Sequence, residues 1–82
     1  MRFTLYQEVA LTRAVPEYGL RAGDIATLID VVKHPAGGET GCVLEIFNAV
    51  GESIAVITVP ESAIETLEAN EIFTVRLLAE AA

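Results

Sequence analysis

Apolar and polar residues alternate with a period of two through most of this chain, the pattern of strands with one buried face. From Tyr6, the residues Gln7, Val9 and Leu11 share one face and Tyr6, Glu8 and Ala10 the other, which predicts a first strand. Thr12 to Ala22 contains Pro16, Gly19 and the charges Arg13, Glu17 and Arg21, so regular pairing lapses there in a long loop. Ala22-Gly23-Asp24 reads as a turn into Ile25–Val32, a β-branched run too short for a comfortable helix and apolar on both faces, as a central strand requires. His34 to Gly41 then holds one proline and three glycines in eight residues and predicts a flexible connection.

Cys42–Phe47 alternates cleanly, with Val43, Glu45 and Phe47 on one face and Cys42, Leu44 and Ile46 on the other. Asn48 to Glu52 supplies a turn with Gly51 at positive φ, and Ser53–Val59 returns as the second arm of a hairpin. Pro60 ends that strand because it lacks the N–H a ladder needs, Glu61 to Ala63 fits a single helical or 3₁₀ turn, and Ile64–Leu67 a short closing strand. Beyond it, Ile72, Phe73, Val75, Leu77 and Leu78 predict an extra strand over 72–78, although the alanine and glutamate of the flanking segments favour helix.

These elements predict one all-β domain over residues 1–82, with a core at about 3–67 and the added C-terminal strand. Its fold is expected to be a small SH3-like barrel or a strongly bent antiparallel sheet of five to six strands, with one short helical turn. A chain of 82 residues has room for one core. It is 52% hydrophobic, which leaves apolar surface over for a partner or a second copy.

Composition narrows the function classes. A formal net charge of −7 opposes the counterion-releasing contacts that bind phosphate backbones, so nucleic acid is not an expected ligand. The single cysteine, Cys42, cannot form an internal disulfide, and the N-terminal residues carry no signal-peptide pattern. No apolar run approaches the roughly 20 residues of a membrane span. A cytoplasmic protein without membrane contact is the expectation.

Several segments together resemble the domain-of-unknown-function 4926 family: LYQEVALT, Pro16 with Gly19-Leu20, Gly23-Asp24-Ile25-Ala26-Thr27-Leu28, Leu44-Glu45-Ile46-Phe47, and Gly51-Glu52 followed by Ala55-Val56-Ile57-Thr58-Val59. The resemblance spans about Phe3 to Leu67. It implies a small bacterial SH3-like protein of no established activity, with relatives carried on mobile gene elements or in toxin–antitoxin-like surroundings. The stretch after Leu67 departs from the shared pattern.

Few side chains suit catalysis. His34 is the only histidine, so a nucleophile system would have to join it to Cys42 across the glycine-rich loop, and an exposed histidine with a buried structural cysteine accounts for both more simply. Gly37-Gly38 lacks the lysine and the following helix of a phosphate loop. Asp24, Asp30, Glu45 and Glu52 lie on or near strands, and a converging pair could serve as acid and base or hold a divalent cation, but no calcium-loop spacing is present. Glu45, among apolar neighbours, is expected either in solvent or against Arg13 or Arg21. No catalytic residue, cofactor or metal is therefore assigned.

Arg13, Tyr18 and Arg21 in the long loop, with Glu45 and Phe47, form the candidate partner-binding set, because arginine and tyrosine are the residues most used at interface hot spots. Ile72, Phe73, Val75 and Leu77 form the candidate oligomer interface. The expected function is a non-catalytic protein-interaction module for an unidentified protein partner, which with the family resemblance reads as an antitoxin-like or accessory protein carried on a mobile gene element. A self-assembling homodimer or larger homo-oligomer is the alternative, and a small hydrolase or metal-binding protein a more distant one.

Overall fold

The computed structural model describes residues 2–34 and 36–78; Pro35, in the expected flexible connection, and the alanine-rich residues 79–82 lie outside the described residues. The chain is all-β: strands β1 (Glu8–Leu11), β2 (Ile25–Val32), β3 (Gly41–Phe47), β4 (Ser53–Pro60) and β5 (Ile64–Thr66), with 3₁₀ turns at Pro16–Tyr18 and Glu61–Ala63. All neighbouring strands are antiparallel, in the order β4-β3-β2-β1-β5. No ladder among the described residues joins β4 to β5, so the hydrogen-bonded sheet is open.

One face of this sheet carries the core. Val9 and Leu11 of β1, Ala26 and Leu28 of β2, Cys42, Leu44 and Ile46 of β3, Ile57 and Val59 of β4 and Ile64 of β5 pack in one cluster, joined by Phe3, Leu20 and Ala63. A single flat layer cannot shield side chains from strands at its two edges, so the sheet bends around its own inner face. Leu44 illustrates the register: it sits between Leu28 and Ile57 on the neighbouring strands and is fully buried. Truncation to alanine there costs about 2–5 kcal/mol, from lost burial and the cavity left behind.

Local chemistry sets the irregularities. The first strand starts at Glu8, later than the alternation suggests, because Tyr6 takes a left-handed conformation with φ 69°. Its turn is tied by the Gln7 N–H to the Thr4 carbonyl and by the Thr4 N–H to the Gln7 side-chain oxygen. In β2 the register shifts between Leu28 and Asp30, a bulge that hides Leu28 and turns the end of the strand out to solvent. The β3–β4 turn places Gly51 at φ 87°, as expected, and Asn48 holds it by accepting the N–H groups of Val50 and Glu52.

Pro60 is included in β4 at no cost to the ladder. The Glu61 N–H donates to the Thr40 carbonyl, so the adjacent Gly41–Pro60 pair falls where an antiparallel ladder asks for no bond across the pair. The same alternation aims the backbone groups of Val56 and Thr58 away from β3, toward the open edge of the sheet.

The expected strand at 72–78 is corrected by the structure. The segment Ile72–Leu78 joins no ladder. After β5 the chain turns, with the Glu71 N–H on the Glu68 carbonyl and the Glu68 N–H on the Glu71 carboxylate, and then runs beside the loop before β2. Its β-branched composition finds no partner strand there, and a side chain rather than the backbone fixes it.

Candidate partner-binding site

The fixing side chain is Arg76. Its Nε donates to Asp24 Oδ1 at 2.9 Å, its Nη2 to Asp24 Oδ2 and, at 3.1 Å, to the Gly19 carbonyl, while Nη1 turns back to the Leu77 carbonyl. Arg76–Asp24 is the one ion pair found among the described residues. Burial alone raises the Asp24 pKa, but the hydrogen bonds from Arg76 and from the Arg21 N–H, with the charges of Arg76 and Arg21, outweigh it and hold the carboxyl below the ordinary aspartate value. The same bond to Asp24 pushes the Arg76 pKa up against the lesser effect of its desolvation.

The loop, not the tail, builds this notch. Asp24 Oδ2 accepts the Arg21 N–H at 2.7 Å, and the Asp24 N–H returns to the Arg21 carbonyl at 3.1 Å. Gly19 closes the Pro16–Tyr18 turn at φ 70°, with its N–H on the Pro16 carbonyl. That left-handed conformation favours a residue without Cβ, and it leaves the Gly19 carbonyl free to accept Arg76.

Two shallow clefts flank the notch. One of about 390 Å³ lies between Ala10, Ile25 and Glu65 on the outer face of the sheet and Ile72 and Phe73 of the tail. The other, of about 370 Å³, runs from Arg21 and Asp24 to Thr74 and Arg76. The tail covers this surface thinly: Ile72 and Val75 keep 85% and 89% of their surface exposed, and Phe73, Leu77 and Leu78 are also exposed.

The candidate residues lie on two elements, the β1–β2 loop and β3. Arg13, Tyr18 and Arg21 share the β1–β2 loop as expected, but Arg13 is engaged with Ser62 Oγ at 3.0 Å, in a network where Ser62 also donates to both oxygens of Glu39. Tyr18 is exposed, and Arg21 enters the notch through its backbone. Glu45 and Phe47 lie on the outer face of β3, in a row where Glu45 pairs with Thr27 and Val56. Glu45 is half-buried and makes no ion pair with Arg13 or Arg21, so of the two expected placements the ion-paired one is not seen. Ile72, Phe73, Val75 and Leu77 are exposed on the tail.

The thiol and the imidazole do not form a pair. Cys42 is fully buried in the core, where burial, reinforced by the negative charges of Glu61 and Glu39, pushes its pKa up. His34 is exposed, and its Nδ1 accepts the Ala36 N–H at 3.1 Å. Its ring also fills the space a Cβ on Gly38 would need, 2.9 Å away. No group of three or more potential metal ligands is found among the described residues, and no helix among them is long and apolar enough to cross a membrane. Sequence reasoning missed Arg76 because it lies within an apolar run, and missed Tyr6 because no residue type announces a positive φ outside glycine and asparagine.

Fold and site together define a small all-β domain that presents a carboxylate–carbonyl notch. Residues 5–66 match the family described as "Domain of unknown function (DUF4926)", and the chain belongs to that family. The tail with Arg76 lies outside the matched residues. No curated protein and no solved structure matches the chain.

Proposed function

We propose that this protein is a non-catalytic interaction module that holds another protein chain, as an accessory partner, at the surface formed by the β1–β2 loop and the C-terminal tail. The observation that carries this reading is the tail itself: large apolar side chains stand in solvent on a segment pinned at one arginine. Exposed apolar runs of this kind mark association surfaces more often than idle ones. The strand order β4-β3-β2-β1-β5 with a 3₁₀ turn before β5 supports placing the domain in the SH3-like class, whose loops are common peptide-binding sites.

Capture with the tagged full chain from its host lysate, with the bait's own mass measured by light scattering, tests the reading. A partner recovered at near-equal stoichiometry, in an amount that changes when Ile72 and Phe73 are both replaced by serine, upholds it. Recovery of the bait alone overturns it.

A second reading, self-association, is favoured by a different feature, the open edge of β4. Residues 53–59 of this strand carry no charge, and Val56 and Thr58 direct backbone groups outward. A second copy pairing there would extend the sheet without any contribution from residues 72–78.

A further inference from the structure

We propose that the Asp24–Gly19 notch is a binding site for an arginine-bearing, extended apolar segment of another protein, and that residues 71–78 occupy it in cis as a tethered competitor. This rests on the interaction-module reading and names the chemistry of its ligand.

The acceptors match a guanidinium. Two carboxylate oxygens and one carbonyl receive Nε and Nη2 in a fork that a lysine ammonium cannot reproduce. They are set independently of the tail, since the Arg21 N–H orients the carboxylate and the Pro16–Tyr18 turn orients Gly19. A site that its own loop preorganises survives departure of its occupant.

The occupant in place is held by little else. No residue of 71–78 belongs to the core cluster, and the apolar side chains on both sides of Arg76 remain exposed beside two clefts. A segment with the same arginine and better-fitting apolar neighbours gains contacts the tail does not make. The chain's net charge of −7 adds a long-range attraction for a cationic segment. The tail thus tunes access, because a tethered arginine competes at high effective concentration with any arriving one.

The test uses full-length Arg76→Ala, whose core is untouched by the substitution, titrated with a synthetic peptide of residues 70–78 (NEIFTVRLL) while the amide resonances of Gly19, Arg21 and Asp24 are followed by NMR. Saturable shifts are expected, with affinity for the wild-type chain at least about tenfold weaker because its own arginine competes. Binding should vanish in the Asp24→Asn, Arg76→Ala double variant and with a peptide carrying alanine for arginine. Absence of saturable shifts in a well-dispersed Arg76→Ala spectrum, or equal binding of the alanine peptide, overturns the proposal. A wild-type dimer that Arg76→Ala converts to monomer would assign the notch to the tail of a second copy and overturn occupancy in cis. A cellular partner retained undiminished by Asp24→Asn leaves the module reading standing and removes the notch from it. Saturable peptide binding with no cellular protein retained upholds the notch and overturns the module reading.

Discussion

Asp24 and Arg76 stand 52 residues apart in the chain, yet the Arg76 guanidinium lies in the fork of the Asp24 carboxylate, with Nε 2.9 Å from Oδ1. The pair joins the two regions of the molecule that differ most in character, a turn locked by its own backbone and a tail whose apolar side chains find no core. Its energetic role is local. Both side chains keep part of their surface in water, where ion pairs contribute modestly to global stability.

The pair makes tail attachment sensitive to acid. Asp24 is held below its ordinary pKa in the folded chain, so its contribution is complete above the ordinary aspartate value of about 3.9 and is lost as pH falls through the lowered value. Backbone relaxation of residues 72–78 should report a fixed segment at pH 6 and a released one near pH 2, with the core amides still protected when release begins. Asp24→Asn should show the released tail already at pH 6.

Tyr6 should be replaceable with a gain. An aromatic residue at φ 69° bears the left-handed strain that asparagine tolerates better, so Tyr6→Asn is expected to stabilise the fold by about 1 kcal/mol in chemical denaturation. With 73% of its surface exposed, the tyrosine loses little packing in exchange. A loss of stability would show that the ring itself supports the turn.

Cys42 should behave as a core residue. A hydroxyl in the same fully buried place would lack an apolar environment's match, and Cys42→Ser is expected to cost about 1–3 kcal/mol. The native thiol should resist a disulfide reagent at pH 8 and react at once after unfolding, since burial and the nearby carboxylates disfavour the thiolate. Rapid reaction of the folded protein would place the thiol in a more open site.

The edge of β4 can be closed by charge. Val56→Lys sets an ammonium on the outward face of the strand with no change to the core. If copies pair on this edge, light scattering should find a dimer for the native chain and a monomer for the variant; equal masses would dismiss edge pairing.

Legibility in the sequence followed the reach of each signal. The alternation from Cys42 to Phe47 places three residues in the core and leaves the alternate positions outside it, because a strand's period of two is set by its own backbone. Gly51 was readable for a similar reason, through a local backbone rule, whereas Pro60 closes β4 from inside the strand because its missing N–H falls at a pair that needs no bond. The segment 72–78 has the composition of a strand, but a strand exists only with a partner, and composition does not say whether one is within reach. Asp24 could be singled out as a carboxylate near a strand, whereas its partner could not, since no spacing rule links residues so distant. Of the candidate set, Arg13, Tyr18 and Arg21 were legible as a loop group and Glu45 and Phe47 as alternate positions of one strand, because both are local patterns, whereas the engagement of Arg13 with Ser62 rests on a contact 49 residues away.

The sheet ends in two unequal borders, eight residues of β4 on one side and three residues of β5 on the other. A strand of three residues offers too short a ladder to seat another chain, so only one border is open to addition. Two copies joined through β4 would leave only their short borders outward, and growth would stop at the pair. With borders so unequal, a strand-rich chain that paired on β4 is expected to stop at the dimer rather than polymerise into a fibre.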